Sequence, residues 1–581
     1  MPSETVQKIL NSASIEDKVG QLLCFGFSGA YAHRDILDAI RKYRVAGFRT
    51  TPSARKFERY FGSDHPGAAR VIRDPEPNER VYGSGVGGAP RVSPERYAAT
   101  LNRLRQCAME EGSGIPLYFA TDVEGNVSID FRGPGIEGFP HPMGLAASGD
   151  PGLSYRVAKA IGQQLRAGGF NWIHSPVLDV NTEPANPEIS TRSYSAHPET
   201  VARYALESLR GFDEAGVIAT GKHFPGRGSS VADVHFGVAV IDDDKQRMRD
   251  VHLAPYKRLI EAGLPAIMLA HSIYPAIDPD QEIATMSRAI IMDVLRGELG
   301  YDGVVMTDSF TMGGLVAKYD VDEAAVLCIQ NGVDLILLKD ENALRGEVYT
   351  ALLDAVRTGR ISEDRLENAV GHVLAAKERC GLLDGSGGIV PVETTRKILA
   401  DISLRDTARE AAEKSLVVLR DEEGLLPLKP GTRVFVVEEA FNVIARLNDE
   451  CSHVGSLYEA LADRGVDACM VDFEANGNFE KIWPVIRQRA AEADIIIHTG
   501  HFNRGGNHEK RAEYHKRIAE LDTPSIFVTN CPYDLVVPEA AKSVLVTFSL
   551  FDRSFEAAAA AICGEAKPSG KLDFDPQVSY N

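Results

Sequence analysis

Up to Leu338 the apolar residues come in short continuous runs, not in alternation with polar ones. The runs are Leu22-Leu23-Cys24-Phe25, Ala46-Gly47-Phe48, Pro116-Leu117-Tyr118-Phe119-Ala120 and Asn171-Trp172-Ile173, then Val217-Ile218-Ala219-Thr220, Ala266-Ile267-Met268-Leu269, Val304-Val305-Met306 and Leu335-Ile336-Leu337-Leu338. A run that is apolar at every position predicts a strand buried on both faces, as in a parallel sheet. Between most runs lie amphipathic stretches. One spans Thr200 to Ala215, with Val201, Tyr204, Ala205, Leu209 and Phe212 on one face. Eight β/α units in this order predict a (β/α)8 TIM-type barrel with insertions, over residues 1–384. A helix from Glu363 to Arg379, with Ser362 as N-cap and Leu366, Val370, Val373 and Leu374 as its buried stripe, is expected to close it. Gly385-Ser386-Gly387-Gly388 reads as the start of a linker over 385–402. After a helical stretch at Ser403 to Ser415 come Val434-Phe435-Val436-Val437, Ile495-Ile496-Ile497, Ile526-Phe527-Val528 and Val544-Leu545-Val546. They predict a smaller α/β open-sheet (sandwich) domain over 403–581.

Residues 49–98 fit neither pattern. They hold Arg55, Arg59, Arg70, Arg73, Arg80 and Arg91, several prolines and Gly83-Ser84-Gly85-Val86-Gly87-Gly88. The expectation is a lid or an oligomer contact, with a disordered loop as the alternative. The glycine cluster follows no apolar strand and opens no clear helix, so it is not a dinucleotide fingerprint.

Composition narrows the classes. With 581 residues, 44% of them apolar and 25% charged, the chain is ordinary globular protein in two or three domains. A net charge of −19 argues against nucleic acid as a partner. No apolar stretch approaches the ~20 residues of a membrane span. Met1-Pro2-Ser3-Glu4 begins no signal peptide, so a cytoplasmic protein is expected. Eight scattered cysteines, among them Cys24, Cys328 and Cys469 in apolar runs, predict buried reduced thiols and not a disulfide frame.

The chemistry gathers at the ends of the predicted strands, which share one face of a barrel whatever their separation in sequence. That face is expected to collect Asp122 and Glu124 after the third strand, Lys222 and His223 after the fifth, His271 after the sixth and Asp308 after the seventh. A single strand-end Asp is commonly a helix cap; six polar groups together point to a site. Asp308 ends an apolar strand, where a rigidly held nucleophile belongs. Asp233-Val234-His235 follows a glycine-rich hinge and reads either as a surface turn or as an imidazole oriented by a carboxylate, fit to act as general acid and base. A metal held by His223, His235 and His271 is a third reading, although the spacing matches no metal motif.

Several segments together resemble glycoside hydrolase family 3, and most of all its β-N-acetylglucosaminidase branch. Ser14-Ile15-Glu16-Asp17-Lys18-Val19-Gly20-Gln21-Leu22 resembles the opening helix, and Asp122-Val123-Glu124-Gly125 the Asp-x-Glu-Gly segment. Ser175-Pro176-Val177-Leu178-Asp179-Val180-Asn181 with Thr191-Arg192-Ser193-Tyr194 resembles the next block. Lys222-His223-Phe224-Pro225-Gly226 with Asp233-x-His235 resembles the signature of the branch. Thr307-Asp308-Ser309 resembles the nucleophile segment, and Ser569-Gly570-Lys571-Leu572 the end of the second domain. The resemblance implies that Asp308 attacks the anomeric carbon, that His235 paired with Asp233 serves as acid and base, and that Asp122, Arg192, Lys222 and His223 hold the hydroxyls of the terminal sugar. It implies retention of configuration, a small carbohydrate substrate, and no metal or other cofactor.

The chain departs from that branch at Arg227-Gly228-Ser229-Ser230, where His-Gly-Asp-Thr is usual, and at Gly125-Asn126-Val127-Ser128, where a Gly-Gly-Arg type run is usual and Arg132 is a poor substitute. An anionic aglycone could meet Arg227, with a solvated arginine as the alternative. Three functions stay open: a retaining β-N-acetylhexosaminidase, a β-glucosidase or β-xylosidase drawing its acid from Glu509 or Glu513 of the second domain, and a phosphorylase, because a histidine acid does not repel phosphate. A non-catalytic sugar-binding protein is disfavoured, since both Asp308 and His235 are present.

Overall fold

Alternate positions of each apolar run go to opposite sides of one closed sheet, and both sides are dry. In the computed structural model, residues 2–51, 92–125, 128–231, 238–311, 313–316, 318–339, 341–440, 453–474, 479–502 and 508–581 are described. The eight runs form β1 (Leu23–Ser28), β2 (Gly47–Thr51), β3 (Tyr118–Thr121), β4 (Trp172–Ile173), β5 (Ile218–Phe224), β6 (Ala266–Leu269), β7 (Val304–Ser309) and β8 (Leu335–Leu338). They pair in parallel in chain order, and β8 closes on β1. Val304, Met306, Leu335, Leu337, Met268 and Trp172 fill the barrel interior, while Val305, Ile336 and Ile267 pack outward under the helices. This two-sided burial is why the runs do not alternate.

The helix Glu363–Arg379 is capped by Ser362, whose Oγ accepts the Arg365 N–H. It places Val373, Ala376 and Cys380 against the interior cluster at the N-terminal end of the barrel. Lys377 of this helix is buried there. Its Nζ donates to Gln21 Oε1 at 2.7 Å and to the Pro116 carbonyl at 2.9 Å, and burial pushes its pKa down to about 7. The helix read at Thr200 to Ala215 runs Pro198–Glu214 and buries its whole apolar face. The 385–402 stretch expected as a linker carries an eight-residue helix, Val392–Leu399.

The second sheet adds two strands that the apolar runs did not predict. Its strands are β9 (Val417–Asp421), β10 (Arg433–Ala440), β11 (Asp467–Glu474), β12 (Ile495–Gly500), β13 (Ser525–Thr529) and β14 (Ser543–Val546), in the order β9-β14-β13-β12-β10-β11. All pairs are parallel except β9 with β14. The two unpredicted strands, β9 and β11, are the edges, where one side meets water and the sequence is mixed. Cys469 illustrates this: on β11 it is exposed, whereas Cys24 and Cys328 are buried as expected.

The sheet domain packs on the barrel through Phe551, which joins the main barrel core, and through the His141 N–H, which donates to the Phe548 carbonyl at 2.9 Å. Among the described residues, no helix is long and apolar enough to cross a membrane. The arginines at 55, 59, 70, 73, 80 and 91, the glycine cluster at 83–88, and Asp233 and His235 lie outside the described residues.

Candidate active site

The chemistry sits at the C-terminal ends of β3, β5 and β7 and on the long connection after β4. Lys222, His223 and Asp308 lie inside the last residues of their strands, not after them as the runs suggested. Both strands break register there, β5 against β6 between Lys222 and Phe224, and β7 against β8 between Met306 and Ser309. A strand sends neighbouring side chains to opposite faces, and an irregularity of this kind re-aims them. It brings Lys222 and His223, adjacent in sequence, to the same mouth.

The carboxylates and cations form a continuous chain. Lys222 Nζ lies 2.5 Å from Glu124 Oε1 and 3.1 Å from Asp122 Oδ1. Arg192 grips Glu124 with two nitrogens, at 2.6 and 3.0 Å. Glu188 stands between Arg192 (3.7 Å) and Arg227 (2.7 Å). Asp179 accepts the backbone N–H of Arg227 at 2.8 Å and pairs with the ring Nδ1 of His223 at 2.7 Å. His223 Nε2 then stands 4.0 Å from Asp308 Oδ2. Most of the chain is buried. Glu124, Glu188, Asp179, Arg192, Lys222 and Arg227 expose 4% or less of their side chains, whereas Asp122 exposes 26% and Asp308 16%. Two carboxylates thus open onto the mouth from an otherwise dry network.

Burial alone would neutralise such groups, and the pairing prevents it. Desolvation raises the pKa of Asp122, but Lys222, Arg49 and His174 outweigh it and hold the carboxyl well below the usual range. Glu124 is lowered in the same way by Arg192 and Lys222. For Arg227, burial is outweighed by Glu188, Asp179 and Asp308, and its pKa rises. Asp179 is the exception: burial wins and its pKa is raised.

Arg227 is therefore neither a solvated side chain nor an arginine facing an aglycone. It is 1% exposed and tied to Glu188. The turn that carries it is tight: a Cβ on Gly228 would sit 1.7 Å from the Val180 carbonyl oxygen, so only glycine fits.

Five of the six expected strand-end groups share this mouth. The sixth, His271, is fully buried behind it, with Nδ1 on Thr285 Oγ1 at 2.8 Å and Nε2 on the Ser309 carbonyl at 3.0 Å. It holds the backbone beside Asp308. Of the three histidines of the metal reading, His271 has both ring nitrogens on protein partners, and His235 lies outside the described residues. Another grouping close enough to share an ion, among the described residues, is His33, Asp35 and Glu341. There Glu341 accepts the Ser28 N–H at 2.8 Å and His33 hydrogen-bonds Asp35.

Sequence reasoning missed Arg49, Asp179, His174 and Glu188. Arg49, in the middle of β2, clamps Asp122 Oδ2 with Nη2 at 2.8 Å and Nε at 3.2 Å, while also pairing with Asp130. Its signal is a charge directly after an apolar run, Ala46-Gly47-Phe48, but it falls at the first position of the 49–98 stretch that fits no pattern. His174 Nδ1 stands 3.4 Å from Asp122 Oδ1. Asp179 lay within a quoted motif without a role, and Glu188 sits in a polar connection with no pattern to mark it.

Comparison with known proteins gives a consistent family. Residues 14–376 match the N-terminal domain of glycosyl hydrolase family 3. A β-hexosaminidase A of Pseudoalteromonas piscicida is 30% identical over 393 residues, which cover 63% of this chain and 64% of that protein, so the match takes in less than two thirds of that relative's length. A β-N-acetylglucosaminidase/β-glucosidase of Cellulomonas fimi is 27% identical across 82% of this chain and 86% of that protein. The solved structure of a glycoside hydrolase family 3 β-N-acetylglucosaminidase from Paenibacillus sp. str. FPU-7 superposes with a TM-score of 0.81 at 28% identity, covering 98% of this chain and all of the other.

Proposed function

Because the chain belongs to glycosyl hydrolase family 3, we propose that it is a retaining exo-glycosidase that releases terminal β-linked N-acetylhexosamine from small glycosides. The observation that carries this reading is the position of Asp308, a partly exposed carboxylate at the end of β7 and 4.0 Å from His223, on the open edge of a buried charge network. Its oxygen attacks the anomeric carbon as the bond to the leaving oxygen breaks, and a covalent glycosyl–Asp308 ester forms. The proton taken up by the leaving oxygen comes from His235, oriented by Asp233. The same imidazole then removes a proton from water, which attacks the anomeric carbon as its bond to Asp308 breaks, restoring the carboxylate. Asp122, Arg192, Lys222 and His223 bind the sugar hydroxyls. Asp122 presents an ionised acceptor at the mouth; Lys222 holds it directly, and Arg192 braces Lys222 through Glu124. The names of the hexosaminidase relatives support the N-acetyl sugar.

The rival is a β-glucosidase, an activity named alongside the first in the Cellulomonas fimi relative. Of its two expected acids, Glu513 is exposed on the helix His508–Ala519, and the side chain of Glu509 lies outside the described residues. The deciding measurement is kcat/KM on an aryl β-N-acetylglucosaminide beside the matching β-glucoside. The expected result is a preference of at least about tenfold for the N-acetyl sugar; a glucoside preference overturns the reading. His235→Ala is expected to slow poor leaving groups far more than activated aryl ones, and equal losses would remove His235 as the acid. Phosphorolysis remains the third reading, because a histidine acid does not repel phosphate. Sugar 1-phosphate formed in millimolar inorganic phosphate would support it, and its absence would end it.

A further inference from the structure

The connection from His174 to His197 runs with no regular element except the short turn Ser190–Arg192, yet it is buried over most of its length. It carries Asp179, Glu188 and Arg192, three members of the charge chain. Irregular backbone inside a protein needs partners for its polar groups. Part of the supply comes from within the barrel: Asn186 Oδ1 accepts the N–H groups of Glu188 and Ile189, and Ser193 Oγ donates to the Asp179 carbonyl. The rest comes from the sheet domain. Asn181 Nδ2 donates to Tyr533 Oη at 2.9 Å, and Ser190 Oγ contacts Cys531 Sγ at 3.6 Å. All four residues are 1% exposed or less. Both partners follow β13, at the end of the sheet that faces the barrel mouth.

The contact at Ser190 has a further meaning. Its φ is 43°, in the left-handed region that a serine rarely adopts, two residues before Arg192. Such a conformation persists only where its surroundings over-determine it. Cys531 presses on that residue, and Tyr533 holds Asn181, two residues after the Asp179 that fixes both His223 and Arg227.

We propose that the sheet domain is a working part of the sugar site: through Tyr533 and Cys531 it sets the connection that presents Arg192 and, by way of Asp179, His223. Neither residue touches the mouth, so both are positioning residues. The inference rests on the reading of Arg192 and His223 as sugar-binding groups, but not on which sugar they bind.

The test is Tyr533→Phe in the full chain, which keeps the ring and removes only the hydroxyl. KM and kcat are measured on whichever aryl glycoside the parent protein hydrolyses best. KM decides, because it does not depend on how much of the sample is folded. The expected result is a KM raised about tenfold with kcat changed less, since a small misplacement of binding groups is costly. Glu410→Gln, which removes a salt bridge from Arg156 to the helix Ile402–Ser415 and whose ion-pair partners are not on this connection, is expected to leave KM alone. If Tyr533→Phe fails to fold, Cys531→Ala is read in the same way. An unchanged KM in the folded variant overturns the proposal and reduces the contact to domain packing. A parent protein that prefers glucosides would overturn the N-acetyl reading and leave this test standing.

Discussion

Both ends of the barrel carry buried charge, and they use it differently. At the N-terminal end, Asp334 is fully buried, and its carboxylate takes Arg296 and Arg365 at 2.7 Å each, His372 at 3.0 Å and the Val305 N–H at 3.0 Å. Every partner is a protein group, and the cluster staples the start of β7 and the start of β8 to the closing helix. At the C-terminal end the chain from Lys222 to Asp308 is equally paired at its base but opens through Asp122 and Asp308. A buried ion pair is therefore no sign of a site. The sign is a network whose last members face outward at the strand ends, where loops can be shaped without disturbing the core.

Breaking the open network should remove activity and spare the fold. Asp308→Ala is expected to lower kcat by about 10⁴-fold or more, with thermal unfolding little changed. A residual rate within tenfold of the parent would dismiss Asp308 as nucleophile. Breaking the closed network should do the reverse. Asp334→Ala leaves two arginines without their anion and is expected to cost about 3–5 kcal/mol in unfolding free energy at unchanged KM. Chemical denaturation together with steady-state kinetics checks both halves.

Acid sharpens the contrast. Burial raises the pKa of Asp334, but His372, Arg296 and Arg365 hold it down to about 2. A folded-state pKa below the unfolded value of about 3.9 stabilises the protein above that pH and ceases to do so as pH falls through the folded value. The stability gap between the parent and Asp334→Asn, about 2–3 kcal/mol at pH 6, should close as pH drops from 4 towards 2. A gap that holds constant would show that the carboxyl titrates normally. The smallest effect is expected at the rim. Arg49→Met removes one clamp on Asp122 and should raise KM about fivefold, close to 1 kcal/mol. Because Arg49 helps keep Asp122 ionised, the acid limb of 1/KM should also move to higher pH. An unmoved limb would mean that Lys222 and His174 suffice.

Much of this was legible in the residues. The eight barrel strands stood out because two-sided burial leaves no room for polar positions, and the helix Glu363–Arg379 because Ser362 and its apolar stripe obey local rules. The edge strands β9 and β11 were not legible, since half-exposed strands look like ordinary mixed sequence. Among site residues, Asp122, Lys222, His223 and Asp308 were marked by ending apolar runs. Glu188 and the exclusion of Arg227 from solvent were not, because both depend on what lies across the mouth.

By itself the amino-acid sequence determined the periodicity, the order of elements and the set of charges at the strand ends, since these follow from local burial and spacing. Only the tertiary structure decided which charges neutralise one another and which face outward. It also decided that Arg227 is buried and that Tyr533 and Cys531 lean on the connection carrying Arg192. Pairings across tens to hundreds of residues are set by how the strands close and the domains dock, and no local pattern in the chain records them.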